Sequence, residues 1–216
     1  MPFEFFDPSQ EVAVSQRQLP HWFQPGIAYF VTFRTADSLP NEVVRQWLEE
    51  RGRWLRAEGI DPQNPTWHQA LRQLSEQRRT AFHRQFSREF HRYLDAGHGE
   101  CLLGRPDLSD IVAQSLLHFD GQRYHLGDFV VMPNHVHLLV GLLGDTDLQA
   151  QCYSWKKFTA GQINAKFGRK GHFWQGECFD HAVRDPEQYV KFQHYIADNP
   201  KRARLPPGQY RLWQRP

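Results

Sequence analysis

The dipeptide Pro133-Asn134 stands between two strand-forming runs, 123–132 and 135–142, and this junction constrains the fold more than any other segment. A connection of two turn residues joins strands only as an antiparallel hairpin. The second run reads His-Val-His-Leu-Leu-Val. Successive side chains of a strand point to opposite faces, so His135 and His137 project together while Val136 and Leu138 enter the other layer. A third strand is predicted at 28–35, where Tyr29, Val31 and Phe33 alternate with Phe30, Thr32 and Arg34. Residues 178–183 form a short fourth.

Helices fill the intervals. Pro40 opens an arginine-rich helical region that Pro62 and Pro65 divide into helices near 41–57 and 66–96. Asp107 or Ser109 can cap another helix, whose apolar face comprises Ile111, Val112, Leu116 and Phe119. Residues 147–167 are helical, with Trp155, Phe158 and Ile163 directed at the core and Gly168 as the stop. Asp185-Pro186 starts a last helix that runs to about Asp198, where Pro200 helps to end it; Phe192 and Val190 are its expected core contacts. The order predicts an α+β domain spanning 1–216: a split βαββαβ antiparallel sheet with helices on one face and a helical elaboration at 41–98.

Composition narrows the class. Among 216 residues, 40% are hydrophobic and 23% charged, enough for a packed core. The run 129–144, which is free of charged residues, is too short to span a bilayer, and the N-terminus lacks the basic start and apolar stretch of a signal peptide. Three cysteines are too few for a disulfide framework. A soluble, cytoplasmic protein is expected. The net charge of +2 conceals an asymmetry: residues 151–216 hold 12 Lys/Arg against 5 Asp/Glu, and residues 51–92 hold 9 against 4. Basic blocks of this kind suit a phosphate backbone, although solvated helix faces give the same pattern.

Two groups carry chemistry. The pair His135/His137 on one strand face can give two ligands to Mn²⁺, Mg²⁺ or Zn²⁺, or can be two hydrogen-bonded sheet histidines. Tyr195 and Asn199 lie four apart on the last helix, one above the other. Tyr195 by itself reads as a buried aromatic with a satisfied hydroxyl sooner than as a nucleophile.

Taken in order, the motifs Tyr29-Phe30-Val31-Thr32-Phe33-Arg34, Val131-Met132-Pro133-Asn134-His135-Val136-His137-Leu138-Leu139, Ser154-Trp155-Lys156-Lys157-Phe158-Thr159-Ala160, Phe173-Trp174-Gln175-Gly176, Phe179-Asp180 and Tyr195-Ile196-Ala197-Asp198-Asn199-Pro200 resemble the single-tyrosine HUH transposases, specifically the REP-associated tyrosine transposases. The resemblance covers about residues 20 to 205. It implies an RRM/ferredoxin-like βαββαβ fold with a C-terminal catalytic helix. His135 and His137 would bind the metal, Mg²⁺ or Mn²⁺, with Asn199 as third ligand and Tyr195 as nucleophile. The implied activity is transposase-like cleavage and rejoining of single-stranded DNA through a 5′-phosphotyrosine. The implied partner is a palindromic, REP-like DNA hairpin, handled by a monomer or a homodimer and without a membrane.

Candidate DNA contacts are Lys156, Lys157, Arg169, Lys170, Lys201, Arg202 and Arg204. Trp174 is the expected stacking surface, with Phe173 and Trp22 as further aromatics. The candidate bases for the phenol are a metal-bound water and His194. After Asn199-Pro200 the sequence departs from the family pattern, continuing Lys201-Arg202-Ala203-Arg204-Leu205. The rival readings are a noncatalytic RRM-like nucleic-acid-binding module, a metal-dependent hydrolase that uses water, and a replication-initiation or relaxase-type HUH protein.

Overall fold

In chain order the elements are β1 (Ala13–Gln16), β2 (Pro20–Phe23), β3 (Ala28–Arg34), α1 (Asn41–Ala57), α2 (Trp67–Gln73), α3 (Glu76–Asp95), a 3₁₀ turn (Leu102–Gly104), α4 (Pro106–Leu117), β4 (Tyr124–Val131), β5 (His135–Leu142), α5 (Leu148–Lys166), β6 (Phe179–Ala182), α6 (Pro186–Arg202) and β7 (Arg211–Trp213). This computed structural model describes residues 3–7, 9, 13–16, 20–39, 41–64, 66–144 and 146–216, without the side chains of 13–16, 20–23, 41, 68, 83, 87–92 and 94–95. The Trp22 ring and the helix-bounding Pro40 and Pro65 thus lie outside the described residues. Two compact units result: Met1–Ser38 with Glu100–Pro216, and Leu39–Gly99. Among the described residues no helix is long and apolar enough to cross a membrane.

The hairpin closes as its turn residues dictate. Met132 N–H donates to the His135 carbonyl at 2.8 Å, and β4 and β5 run antiparallel from Val131 opposite Val136. The main sheet has the order β6-β3-β5-β4-β7, and every pairing in it is antiparallel. Removing the edge strand β7 leaves the strand order of the split βαββαβ arrangement that the sequence predicts. Strand β7 and the separate β1–β2 hairpin were not expected.

One face of the sheet, carrying Tyr29, Val31, Phe33, Val136, Leu138 and Val140, packs on Leu108, Val112 and Leu116 of α4 and on Cys152, Trp155 and Ile163 of α5. The other face, with Phe30, Val130 and Leu139, packs on Tyr189 and Ile196 of α6. The expectation of helices on one face is therefore corrected: α6 covers the second face. Its apolar residues recur at helical spacing and need a partner surface, and the Phe30/Leu139 face supplies it.

Local chemistry explains most boundaries. Asp147 and Asp185 cap α5 and α6, accepting from Ala150 N–H at 2.8 Å and Gln188 N–H at 2.6 Å. Gly168 follows α5 at φ +59, a left-handed position. Four expectations fail locally. Helix α4 is capped by Arg105, not Asp107 or Ser109, because Pro106 takes the first helical position. Pro200 lies inside the last turn of α6, which reaches Arg202, with Ala203 N–H bonding the Asn199 carbonyl at 3.0 Å. Phe158 falls off the buried row of α5 and is 55% exposed. Val190 of α6 is likewise exposed.

At Gly127, where the β4 register shifts, a Cβ would stand 2.7 Å from both Leu139 Cβ and Tyr189 Oη, so the close approach of α6 requires glycine.

The unit Leu39–Gly99 has its own core of Leu55, Ile60, Trp67, Leu71, Phe82 and Phe86. The guanidinium of Arg51 lies 4.9 Å from the Trp47 ring and 5.1 Å from the Trp67 ring. The single helix expected at 66–96 is two, broken where Leu74 is extended (ψ 157) and Ser75 offers its hydroxyl to Arg78 N–H.

Candidate active site

Residues directly opposite across an antiparallel pair share a sheet face. Thr32 of β3 opposes His137 of β5, and Arg34 opposes His135, so these four side chains line one face. It is the face that α6 covers, and Tyr195 and Asn199 descend from that helix. The Tyr195 ring lies 5.2 Å from the His137 ring, and the two imidazoles are 4.6 Å apart. Phe30 supports the group: it stacks on His137 at 5.4 Å and on Phe192 at 4.3 Å, and meets the Tyr195 ring edge-on at 5.8 Å. The histidine pair and the tyrosine, far apart in sequence, are thus brought together.

Both histidines are fully buried and both are held by the same nitrogen. His135 Nδ1 lies 2.7 Å from Asn134 Oδ1, and His137 Nδ1 lies 2.7 Å from Thr32 Oγ1. The Asn134 oxygen can only accept, so Nδ1 of His135 carries the proton and Nε2 carries the lone pair. A side-chain oxygen behind each imidazole is the usual support of a histidine ligand. Asn134 is itself fixed, because its backbone carbonyl accepts from Thr35 N–H at 2.8 Å and from Thr35 Oγ1 at 3.1 Å.

Asn199 is 0% exposed, yet neither its Oδ1 nor its Nδ2 has a hydrogen-bond partner among the described residues. A buried carboxamide left so costs about 1–3 kcal/mol unless something else satisfies it. Among the described residues no group of three His, Cys, Asp or Glu side chains gathers to hold a metal. The two imidazoles could hold a cation, and the buried Asn199 carboxamide oxygen, one helical turn beyond Tyr195 on α6, is the candidate third donor. That donor set suits Mg²⁺, Mn²⁺ or Zn²⁺ and would satisfy the orphaned oxygen.

Arg34, the cross-strand partner of His135, was not among the expected site residues. It is partly buried beside His135, donates from Nη1 to Ser38 Oγ at 3.2 Å, and burial pulls its pKa down to about 10. The signal was present in the alternation of β3, which places Arg34 on the face of Thr32.

The other expected residues divide. Trp174 is buried: its ring meets Phe33 at 4.9 Å and its Nε1–H donates to Thr159 Oγ1 at 2.8 Å. It is a core residue rather than an open stacking surface, and Phe173 packs beside it. Lys156 is also buried, donating from Nζ to the Gln175 carbonyl at 3.1 Å and to the Gly176 carbonyl. That ammonium anchors a loop and does not face a nucleic acid.

Arg169 pairs with Glu100 at 2.9 Å. Lys157, Lys170, Lys201, Arg202 and Arg204 are exposed, and the Arg202 guanidinium lies 5.3 Å from the Tyr195 ring. His194 is exposed and points away from its neighbour Tyr195, which corrects its candidacy as base.

No family model matches the chain, and no curated protein matches it. Among solved structures, a REP-associated tyrosine transposase bound to a REP hairpin aligns over 84% of this chain and 71% of its own, at 16% identity and a TM-score of 0.45. A proposed transposase from Deinococcus radiodurans R1 aligns over 82% and 93%, at 15% identity and a TM-score of 0.33.

Proposed function

We propose that this chain is a single-strand DNA endonuclease and strand transferase of the single-tyrosine HUH type, with Tyr195 as nucleophile. The observation that carries the reading is the Tyr195 ring lying 5.2 Å from His137 on the sheet face where His135 and His137 are each held through Nδ1. A pair of imidazoles able to hold a metal beside a phenol suits metal-assisted phosphoryl transfer to tyrosine.

Tyr195 Oη attacks the scissile phosphorus. The Oη–P bond forms, the bond from phosphorus to the 3′-oxygen breaks, the phenol loses its proton, and the departing oxygen takes one up as a 3′-hydroxyl. A second 3′-hydroxyl attacking the phosphotyrosine reverses the exchange and joins strands. One diester replaces another, so no nucleotide is consumed. Mg²⁺ or Mn²⁺ held by His135, His137 and Asn199 would draw charge from the phosphate oxygens.

The chain's own contribution is orientation. Phe30 fixes the Tyr195 and His137 rings against each other, Asn134 sets the His135 tautomer, and the Thr32 hydroxyl holds the His137 ring through Nδ1. Exposed Lys157, Lys170, Lys201, Arg202 and Arg204 supply phosphate contacts for a hairpin substrate. The rival of a noncatalytic RRM-like module needs an open sheet face on which bases stack. Here both faces are buried under helices, and Phe30 is 1% exposed.

The test is a cleavage assay with labelled single-stranded hairpin DNA and Mg²⁺ or Mn²⁺. A covalent protein–DNA adduct that requires the ion and disappears in Tyr195→Phe is expected. Cleavage without an adduct, unchanged in that variant, would replace the reading with a water-using nuclease.

A further inference from the structure

We propose that Cys152 and Cys178 form a dithiol modification site, at which a hydroperoxide closes an intramolecular disulfide between α5 and the segment that enters β6. The pair lies on the sheet face opposite Tyr195, and nothing in the argument depends on the function proposed above.

One face of α5 runs along residues 174–180, and hydrogen bonds fix the alignment at three levels. Thr159 Oγ1 accepts from Trp174 Nε1 at 2.8 Å. Lys156 Nζ donates to the Gln175 carbonyl at 3.1 Å and to the Gly176 carbonyl. Gln149 Nε2 donates to Asp180 Oδ1 at 3.2 Å. Helix positions 149, 152, 156 and 159 recur at spacings of three and four, so they share this face. Cys152 falls between the levels set by Gln149 and Lys156, and Cys178 falls between Gly176 and Asp180. The alignment therefore brings the two sulfurs together. Both side chains are 1% exposed, both belong to one packed cluster, and the thiols are hydrogen-bonded to each other. Both are free thiols.

The surroundings divide the pair into an attacking and a resolving member. The Lys156 ammonium has three N–H donors. Two carbonyls take part of that capacity, and the same ammonium hydrogen-bonds the Cys178 sulfur. The hydrogen bond from Cys152 and the Lys156 charge hold the Cys178 thiol below its ordinary value, against the burial that opposes them. The same contact and burial push Cys152 well up. Cys178 is thus the thiolate-forming sulfur, and Cys152 keeps its proton. A pair so enclosed excludes bulky disulfides and admits an oxidant near the size of water, which is why a hydroperoxide is the reagent class.

The electrons balance in two steps. The Cys178 thiolate attacks one peroxide oxygen: the S–O bond forms, the O–O bond breaks, and the departing hydroxide takes up a proton as water. The Cys152 sulfur then attacks the Cys178 sulfur: the S–S bond forms, the S–O bond breaks, and the Cys152 proton leaves with that oxygen as a second water. The thiols lose two protons and two electrons, and the peroxide gains them.

The test treats the reduced full chain with hydrogen peroxide, denatures it in an alkylating agent, and reads the digest by mass spectrometry. A Cys152–Cys178 linked peptide, reversed by dithiothreitol, is expected. Cys101, whose thiol burial pushes up, is the internal control and should be recovered alkylated. Cys152→Ser should instead accumulate a sulfenic acid at Cys178 that dimedone traps. Because the bond constrains the unfolded chain while joining sulfurs already in contact, the oxidised protein should melt about 5–10 °C above the reduced one. Unlinked thiols at both positions after peroxide would overturn the proposal. So would bridges to Cys101 in equal yield, which mark pairing in an unfolded chain, or a bridged protein that melts no higher than the reduced one. If Cys152→Ser fails to fold, the wild-type digest and melts decide the question.

Discussion

Thr32→Val is the sharpest probe of the idea that the histidine pair is a supported ligand set. The substitution keeps the branched shape and removes only the hydroxyl that stands 2.7 Å from His137 Nδ1, at a position 2% exposed against a ring 0% exposed. A buried ring nitrogen that loses its partner costs about 1–3 kcal/mol. For a chain of this length that corresponds to a fall in melting temperature of about 2–4 °C per kcal/mol. Phe30 remains stacked on the ring at 5.4 Å, so the imidazole stays in place but loses the hydroxyl that holds its Nδ1. Loss of such a support lowers metal affinity about 10- to 100-fold.

Calorimetric titration with Mn²⁺ alone, paired with thermal melts, measures both effects without DNA or catalysis. Thr32→Ser retains the hydroxyl and should bind Mn²⁺ within a few-fold of wild type. The reasoning is refuted if Thr32→Val binds Mn²⁺ as tightly as Thr32→Ser, because the hydroxyl would then have no bearing on the ligand.

Other consequences can be read from denaturation and binding. Gly127→Ala should destabilise by about 1–3 kcal/mol, since the new methyl meets Leu139 Cβ and Tyr189 Oη at 2.7 Å; a melt equal to wild type would contradict that packing. Lys156→Met should lower stability by about 1–3 kcal/mol through two lost carbonyl contacts while leaving the salt dependence of DNA binding unchanged, and a shallower salt slope would restore Lys156 to the DNA. Replacing exposed Lys201 and Arg204 together by Gln should reduce that slope by about 1.4 if each touches a phosphate of a single strand.

Burial raises the Tyr29 pKa to about 12 from 10.0, so its phenol stays protonated in the fold where the unfolded chain has ionised. Its contribution is full below pH 10 and is lost as pH rises through about 12. Tyr29→Phe should flatten that alkaline decline in stability, and an unchanged slope would count against the assignment.

How far the sequence reveals this molecule depends on the range of the interaction that fixes each part. Strand β5 and helix α1 take their predicted bounds because alternation, turn chemistry and helix periodicity act within a few residues. The same holds for Asp147, Asp185 and Gly168, whose capping roles are local. The bend at Leu74–Ser75 is a local feature, capped by the Ser75 hydroxyl, that the helical pattern of 66–96 masked, whereas the short β7 went unread because its partner is remote in sequence. Strand β7 exists only through pairing with β4 at Phe129–Val131.

The site divides along the same line. Strand pleat and helical spacing each make a pair legible, His135 with His137 and Tyr195 with Asn199. Composition misplaces Trp174 and Lys156, because Thr159 and the carbonyls of Gln175 and Gly176, which draw these side chains inward, are partners that residue type alone does not reveal. Arg34 illustrates the remaining gap. Its face follows from counting along β3, but its neighbour follows only from the pairing Arg34↔His135, which no single strand contains. A charge on a buried strand becomes informative about chemistry once the register says what it stands beside. In this fold that neighbour is the first histidine of the proposed metal pair.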